Sequence, residues 1–179
     1  MLRSITRGLM NTACLLAVTI PVTAMAQDAI VTREGDERSR KIEAFLDGYI
    51  EGDFSSADTL FTPEAKFYWA DMSKAMSLDD WREAVALQHQ ALRDFKMMNR
   101  VITTTEYPEY GPWTYVWTNW QATSKATGKP LDLPLHIMYR WDGDRVTAEF
   151  GYFDKGTFEA FLGDTLARME PTDAPCPWD

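Results

Sequence analysis

The sequence predicts an α+β domain with an antiparallel sheet, and three observations carry that expectation. Apolar residues recur at helical spacing through the first half, the spacing of strands takes over from Phe95, and the aromatic run Trp113 to Ala122 holds three of the seven tryptophans. Aromatic and β-branched residues suit a pleated, half-buried surface, so that run reads as a central strand. Helices grouped ahead of an antiparallel sheet pack as one pair of layers around a single core.

Taken in order, the chain opens with Arg3 and Arg7, an apolar stretch from Ala13 to Ile20, and the small residues Ala24-Met25-Ala26. That pattern reads as a secretory signal over residues 1–26, cleaved after Ala26, which implies a secreted or periplasmic protein. The apolar stretch is well short of the roughly 20 residues a spanning helix needs. Residues 27–37 are polar and read as a flexible lead. The domain itself is expected over residues 38–169. Its first helix carries Ile42, Phe45, Leu46, Tyr49 and Ile50 on one stripe and stops at Gly52. A short helix from Phe54 to Phe61 ends at Thr62-Pro63, and Ala65 to Trp69 reads as a short aromatic strand. Asp71 to Met76 is a loop. Ser77 and Asp80 form a capping box, opening a helix whose inner face would carry Trp81, Ala84, Val85, Gln88, His89 and Leu92.

Strands follow. Lys96 to Tyr107 precedes the turn Pro108 to Pro112, then comes the aromatic run, then Leu131 to Trp141 and Arg145 to Phe153 joined by Asp142-Gly143. Lys155 to Met169 is a closing helix with Phe158, Phe161 and Leu162 inward. Pro171, Pro175 and Pro177 mark a flexible tail over residues 170–179.

Composition narrows the function. Arg3 and Arg7 are the only charged side chains of residues 1–26, so losing that segment would move the net charge from −9 to −11. Such a surface repels phosphate backbones, which weighs against nucleic-acid binding. Only Cys176 would remain after cleavage, so no internal disulfide is expected.

The helix ending in Tyr49-Ile50-Glu51-Gly52-Asp53, followed by Leu60-Phe61-Thr62-Pro63-Glu64-Ala65, resembles the start of SnoaL-like domains of the nuclear transport factor 2 superfamily. The far end agrees. Trp141-Asp142-Gly143-Asp144-Arg145-Val146 and Gly151-Tyr152-Phe153-Asp154 resemble that family's last hairpin and the acid opening its closing helix. The resemblance spans Arg38 to about Leu166 and implies a curved sheet wrapped around helices as a cone-shaped barrel, a central pocket, and homodimers through the outer sheet face. This fold hosts enzymes and plain binders alike, so function has to be argued from the pocket.

Candidate residues follow from that implied pocket. His136, mid-strand, is the side chain best suited to proton exchange near neutral pH. Laid by Pro134 on the related steroid isomerases, with the hairpin shifted by one residue, it falls where they hold a protonated acid over the substrate oxygen. It could equally pair with a neighbouring strand or face solvent beside Asp132 and Arg140. His89 shares a helix face with Trp81 and Val85 and could reach the pocket or sit at a boundary. Asp71, after Trp69, could be a base desolvated by rings or a loop acid capping Ser73. Asp154 reads as a helix cap. Related epoxide hydrolases carry a catalytic Asp where this chain has Gly151, and the steroid isomerases carry a tyrosine donor where it has Phe45. Trp69, Trp117, Trp120, Tyr139 and Tyr152 could line an aromatic ligand pocket, although alternation sets Tyr115 and Trp117 on one face and Val116 and Trp120 on the other.

No metal is expected, because two histidines without further spaced ligands do not make a zinc site, and no cofactor is implied. The expectation is a binder of a small apolar or aromatic molecule with acid–base chemistry through His136. The alternatives are a lyase, isomerase or hydrolase using His136 with Asp71 or His89, and a dimeric interaction module with a filled pocket.

Overall fold

A computed structural model describes residues 30–169. The expected signal segment, the start of the expected lead, the expected tail and Cys176 lie outside the described residues. The elements run β1 (Val31–Glu34), α1 (Glu37–Glu51), α2 (Ala57–Leu60), β2 (Phe61–Trp69), α3 (Leu78–Ala91), β3 (Leu92–Tyr107), β4 (Gly111–Ser124), β5 (Pro130–Asp142), β6 (Arg145–Tyr152) and α4 (Lys155–Arg168). The fold is α+β: one curved, unclosed sheet in the order β1-β3-β4-β5-β6-β2, with helices against its concave face.

Local chemistry sets the helix ends. Asp36 accepts the Ser39 N–H at 2.7 Å ahead of α1, and Gly52 closes that helix at φ 80°, a left-handed conformation glycine adopts without steric cost. The Ser77–Asp80 capping box opens α3, and Asp154 accepts the Thr157 N–H at 3.0 Å ahead of α4.

Two features depart from the sequence reading. Val31–Glu34, within the polar lead, forms an edge strand on β3, held partly by Thr32 and Thr105 hydroxyls 2.9 Å apart. All four of its residues are exposed, so it lacks the alternation that announces a strand. In the sheet expected to be antiparallel, β2 lies parallel to β6. Three strands and a helix separate the two in sequence, so no hairpin fixes their relative direction.

β3 bends the sheet. Its pairing with β4 slips between Arg93 and Lys96 and again between Met98 and Val101. Asp94 and Asn99, inside those bulges, have φ of 58° and 54°, which Asp and Asn tolerate better than most residues. The concave face collects Val116 and Trp120 from β4, Leu133, Ile137 and Tyr139 from β5, and Ile42, Phe45 and Leu46 from α1. Phe45 meets Phe61 edge-on at 5.1 Å, and Phe67 stacks on Trp81 at 5.4 Å. A polar chain crosses the core: Ser39, Thr104 and Thr114 hydroxyls link at 3.0 and 2.9 Å, and Trp141 donates to Thr114 at 2.9 Å. Buried hydroxyls so paired avoid the desolvation cost of unmade bonds. Among the described residues no helix is long and apolar enough to cross a membrane.

Candidate functional site: a carboxyl in an aromatic cavity

The concave face and helices leave a cavity of about 80 Å³. Its walls include rings of Phe45, Trp69, Trp81, Trp120, Tyr139 and Phe158. Into it points one carboxyl, that of Glu149, which is only 4% exposed.

The position of Glu149 follows from β6. Residues two apart on a strand share a face, so Glu149 and Gly151 both line the cavity. Register sets Tyr139 of β5 on one side of Glu149 and Phe67 of β2 on the other. Trp69, two residues past Phe67, crosses Gly151, where an added Cβ would stand 3.4 Å from its Cδ1. From there its Nε1 donates to Glu149 Oε1 at 2.9 Å. A Cβ at 151 would touch that indole and only a longer side chain would compete for its space, so Gly151 leaves room for the donor that Glu149 uses.

Burial pushes the Glu149 carboxyl up to about 7, because the charged form loses its water. The Trp69 N–H and the less well aligned Tyr139 hydroxyl favour the charged form and limit that rise. The Tyr139 hydroxyl is close enough to feel Glu149 but makes no hydrogen bond of ordinary geometry. Burial, followed by the charge of Glu149, holds its proton on well above the usual tyrosine range. A second polar group is fully paired: Trp120 Nε1 donates to the Tyr49 hydroxyl at 3.0 Å, which donates to Gln88 Oε1 at 2.7 Å. The arrangement can hold a small molecule among ring faces and exchange a proton with it at Glu149 near neutral pH.

The candidates drawn from the sequence separate into three places. Trp69, Trp120 and Tyr139 line the cavity. His136, Trp117 and Tyr152 gather instead on the outer face of the sheet, which corrects the expectation that they face the pocket. Leu133, Leu135 and Ile137 take the inward positions of β5, so His136 points out; the one-residue shift needed to lay it on the steroid isomerases reverses the face. Its ring stacks on Trp117 at 4.6 Å, and its Nδ1 lies 3.1 Å from the Val116 carbonyl. Trp117 and Tyr152 are 48% and 42% exposed.

His89 lies away from the cavity lining, stacked on Phe95 at 4.0 Å, with its Nδ1 3.3 Å from where a Cβ on Gly52 would stand. Burial lowers its proton affinity. Asp71 sits in an exposed loop and accepts the Ser73 N–H and hydroxyl at 2.9 and 2.7 Å. Those bonds hold its carboxyl below the usual range, the opposite of what a base desolvated by rings would show. Neither arrangement brings His136 together with Asp71 or His89. Among the described residues no cluster of His, Cys, Asp and Glu is arranged to hold a metal ion.

Glu149, Tyr49 and Gln88 are the polar groups that sequence reasoning missed as site residues. A signal for Glu149 was present: a lone acid between Ala148 and Phe150, on the face of Gly151, in the strand that closes the Asp142-Gly143 hairpin.

No family model matches the sequence, and no curated protein matches it significantly. Solved structures do share the architecture. IdmH of Streptomyces antibioticus, described as a candidate polyketide cyclase, superposes with a TM-score of 0.56 at 15% identity, covering 72% of this chain and 99% of that one. A ketosteroid isomerase-like protein of Catenulispora acidiphila, solved with trimethylamine, gives 0.54 at 12% identity, covering 76% and 97%. A SnoaL-like candidate polyketide cyclase of Shewanella denitrificans gives 0.54 at 14%, covering 71% and 97%. The chain therefore shares the fold of these SnoaL-like and ketosteroid isomerase-like structures. At these identities the likeness speaks for the fold, and the cavity has to speak for the function.

Proposed function

We propose that this protein is an exported SnoaL-like domain that binds a small, largely apolar molecule in its cavity and exchanges a proton with it through Glu149. The observation that carries the reading is the buried Glu149 carboxyl, set among rings and held at a proton affinity near neutrality. A cavity built only to be filled by core side chains has no use for such a group, whose charge is costly to bury. The outer position of His136 favours Glu149 as the acid–base residue. Structural relatives include candidate polyketide cyclases and one protein that holds trimethylamine, which supports small-molecule binding in general and no particular substrate.

A homodimer through the outer face is part of the proposal. Met98, Val101, Trp117 and Tyr152 leave apolar surface exposed there, and large apolar patches commonly mark association sites. Export rests on the leader pattern and predicts a mature chain that begins at Gln27.

Native mass spectrometry of the protein purified from its own host tests the reading, because it gives bound mass and assembly mass together. The expected result is a small molecule retained by the wild-type chain and lost from Leu135→Trp, which fills the cavity from its wall. Retention unchanged in that variant would place the ligand elsewhere and overturn the proposal.

A further inference from the structure

We propose that the molecule bound in the cavity carries a compact organic ammonium group, seated against the Glu149 carboxylate and the surrounding ring faces. The inference rests on the pocket reading above and names the chemistry of its ligand. Three features of the cavity lead to it.

The first is charge. Glu149 lies fully inside and forms no ion pair with a Lys, Arg or His among the described residues, whereas arginines close to the domain's core pair outward, Arg38 with Glu106 and Arg100 with Asp47. The titratable groups that face Glu149 are the hydroxyls of Tyr139 from β5 and Tyr49 from α1, and neither can supply a positive charge. From β2 it meets Trp69 and Phe67, which do not titrate. A buried carboxylate is stable when a cation joins it and otherwise takes up a proton.

The second is the walls. Aromatic faces carry negative potential, which repels a carboxylate and attracts a cation. Eight ring side chains, Tyr49 and Phe153 among them, line the cavity with a single acid. A neutral apolar ligand would use the rings but bring no opposite charge to the carboxylate. An alkylated ammonium uses both, through its methyl surface and its charge.

The third is the Tyr139 hydroxyl, buried at the cavity and without a hydrogen-bond partner. Its oxygen can accept from an ammonium N–H while its proton turns toward Glu149. The whole chain's net charge of −9 adds a long-range attraction for cations.

The test compares tetramethylammonium with tert-butanol, a neutral molecule of nearly the same shape and the same number of heavy atoms. Binding to the full chain is followed by tryptophan fluorescence and calorimetry at constant ionic strength and at pH 5.5, 7 and 8.5. Tetramethylammonium is expected to bind more tightly, and its affinity is expected to fall about tenfold per pH unit below about 7, where a proton competes for Glu149. Glu149→Gln should weaken it on the order of 30-fold and remove the pH dependence, since a charge-assisted contact is lost, with a much smaller effect on tert-butanol. Phe45→Leu, which removes a ring and no polar atom, should weaken the cation several-fold relative to tert-butanol and serves if the Gln variant does not fold. Equal affinity for the two probes, or a cation affinity insensitive to Glu149→Gln, would overturn the ammonium inference and leave the pocket reading standing. Failure of both probes to bind would sink the two together.

Discussion

Replacing Glu149 by Gln should stabilise the protein at alkaline pH and change it little in mild acid. Gln keeps an oxygen to accept the Trp69 N–H and removes only the charge. In the native state the carboxyl is raised from the 4.5 usual for glutamate to about 7. Because the folded value is raised, Glu149's favourable contribution is complete below pH 4.5 and is lost as pH rises through 7, where the native state must hold a buried charge. At about 1.4 kcal/mol for each tenfold change in proton affinity, the loss is on the order of 3 kcal/mol. Urea unfolding of both chains at pH 5, 6, 7 and 8 reads it directly. Groups common to both proteins, His89 among them, cancel in the difference. The stability of Glu149→Gln minus that of wild type should grow by about 2–3 kcal/mol from pH 5 to pH 8. Parallel curves across that range would mean that Glu149 ionises as readily in the fold as out of it.

Three further outcomes are expected. Trp69→Phe deletes the N–H that favours the charged carboxyl, so the pH at which wild-type stability falls should move upward; a denaturation series across pH 6–9 would show it. Ala70 stands at φ 54° at the end of β2, where a β-carbon is strained, so Ala70→Gly should raise stability by about 0.5–1 kcal/mol, read as a higher melting temperature. Trp117→Asp on the outer face should leave cavity binding unchanged and shift the proposed dimer to monomer in sedimentation.

Much of the fold was legible because its signals are local. The stripe of Ile42, Phe45, Leu46 and Tyr49, the Ser77–Asp80 box, the Asp154 cap and the Asp142-Gly143 hairpin each depend on neighbours in sequence. The β4 alternation also held, with Val116 and Trp120 inward and Tyr115 and Trp117 outward. What escaped depends on distant partners. β1 is a strand only because β3 offers it an open edge, and the direction of β2 is set by β6, on the far side of three strands. The site was half legible for the same reason. Composition drew attention to the rings and to the rare histidine, yet the face of His136 turns on a register that one residue can reverse. The significance of Glu149 comes from Trp69 and Tyr139, which meet it only once three strands are side by side.

A carboxyl inside the cavity that is half-protonated near neutral pH would show itself in a carbon-13 NMR titration of glutamate side-chain carboxyls. One resonance, absent from Glu149→Gln, should titrate with a midpoint of about 7 while the exposed glutamates titrate in the ordinary acidic range. If the resonance that disappears in the variant titrates together with the exposed glutamates, Glu149 is solvated, and the proton-exchanging cavity argued for here does not exist.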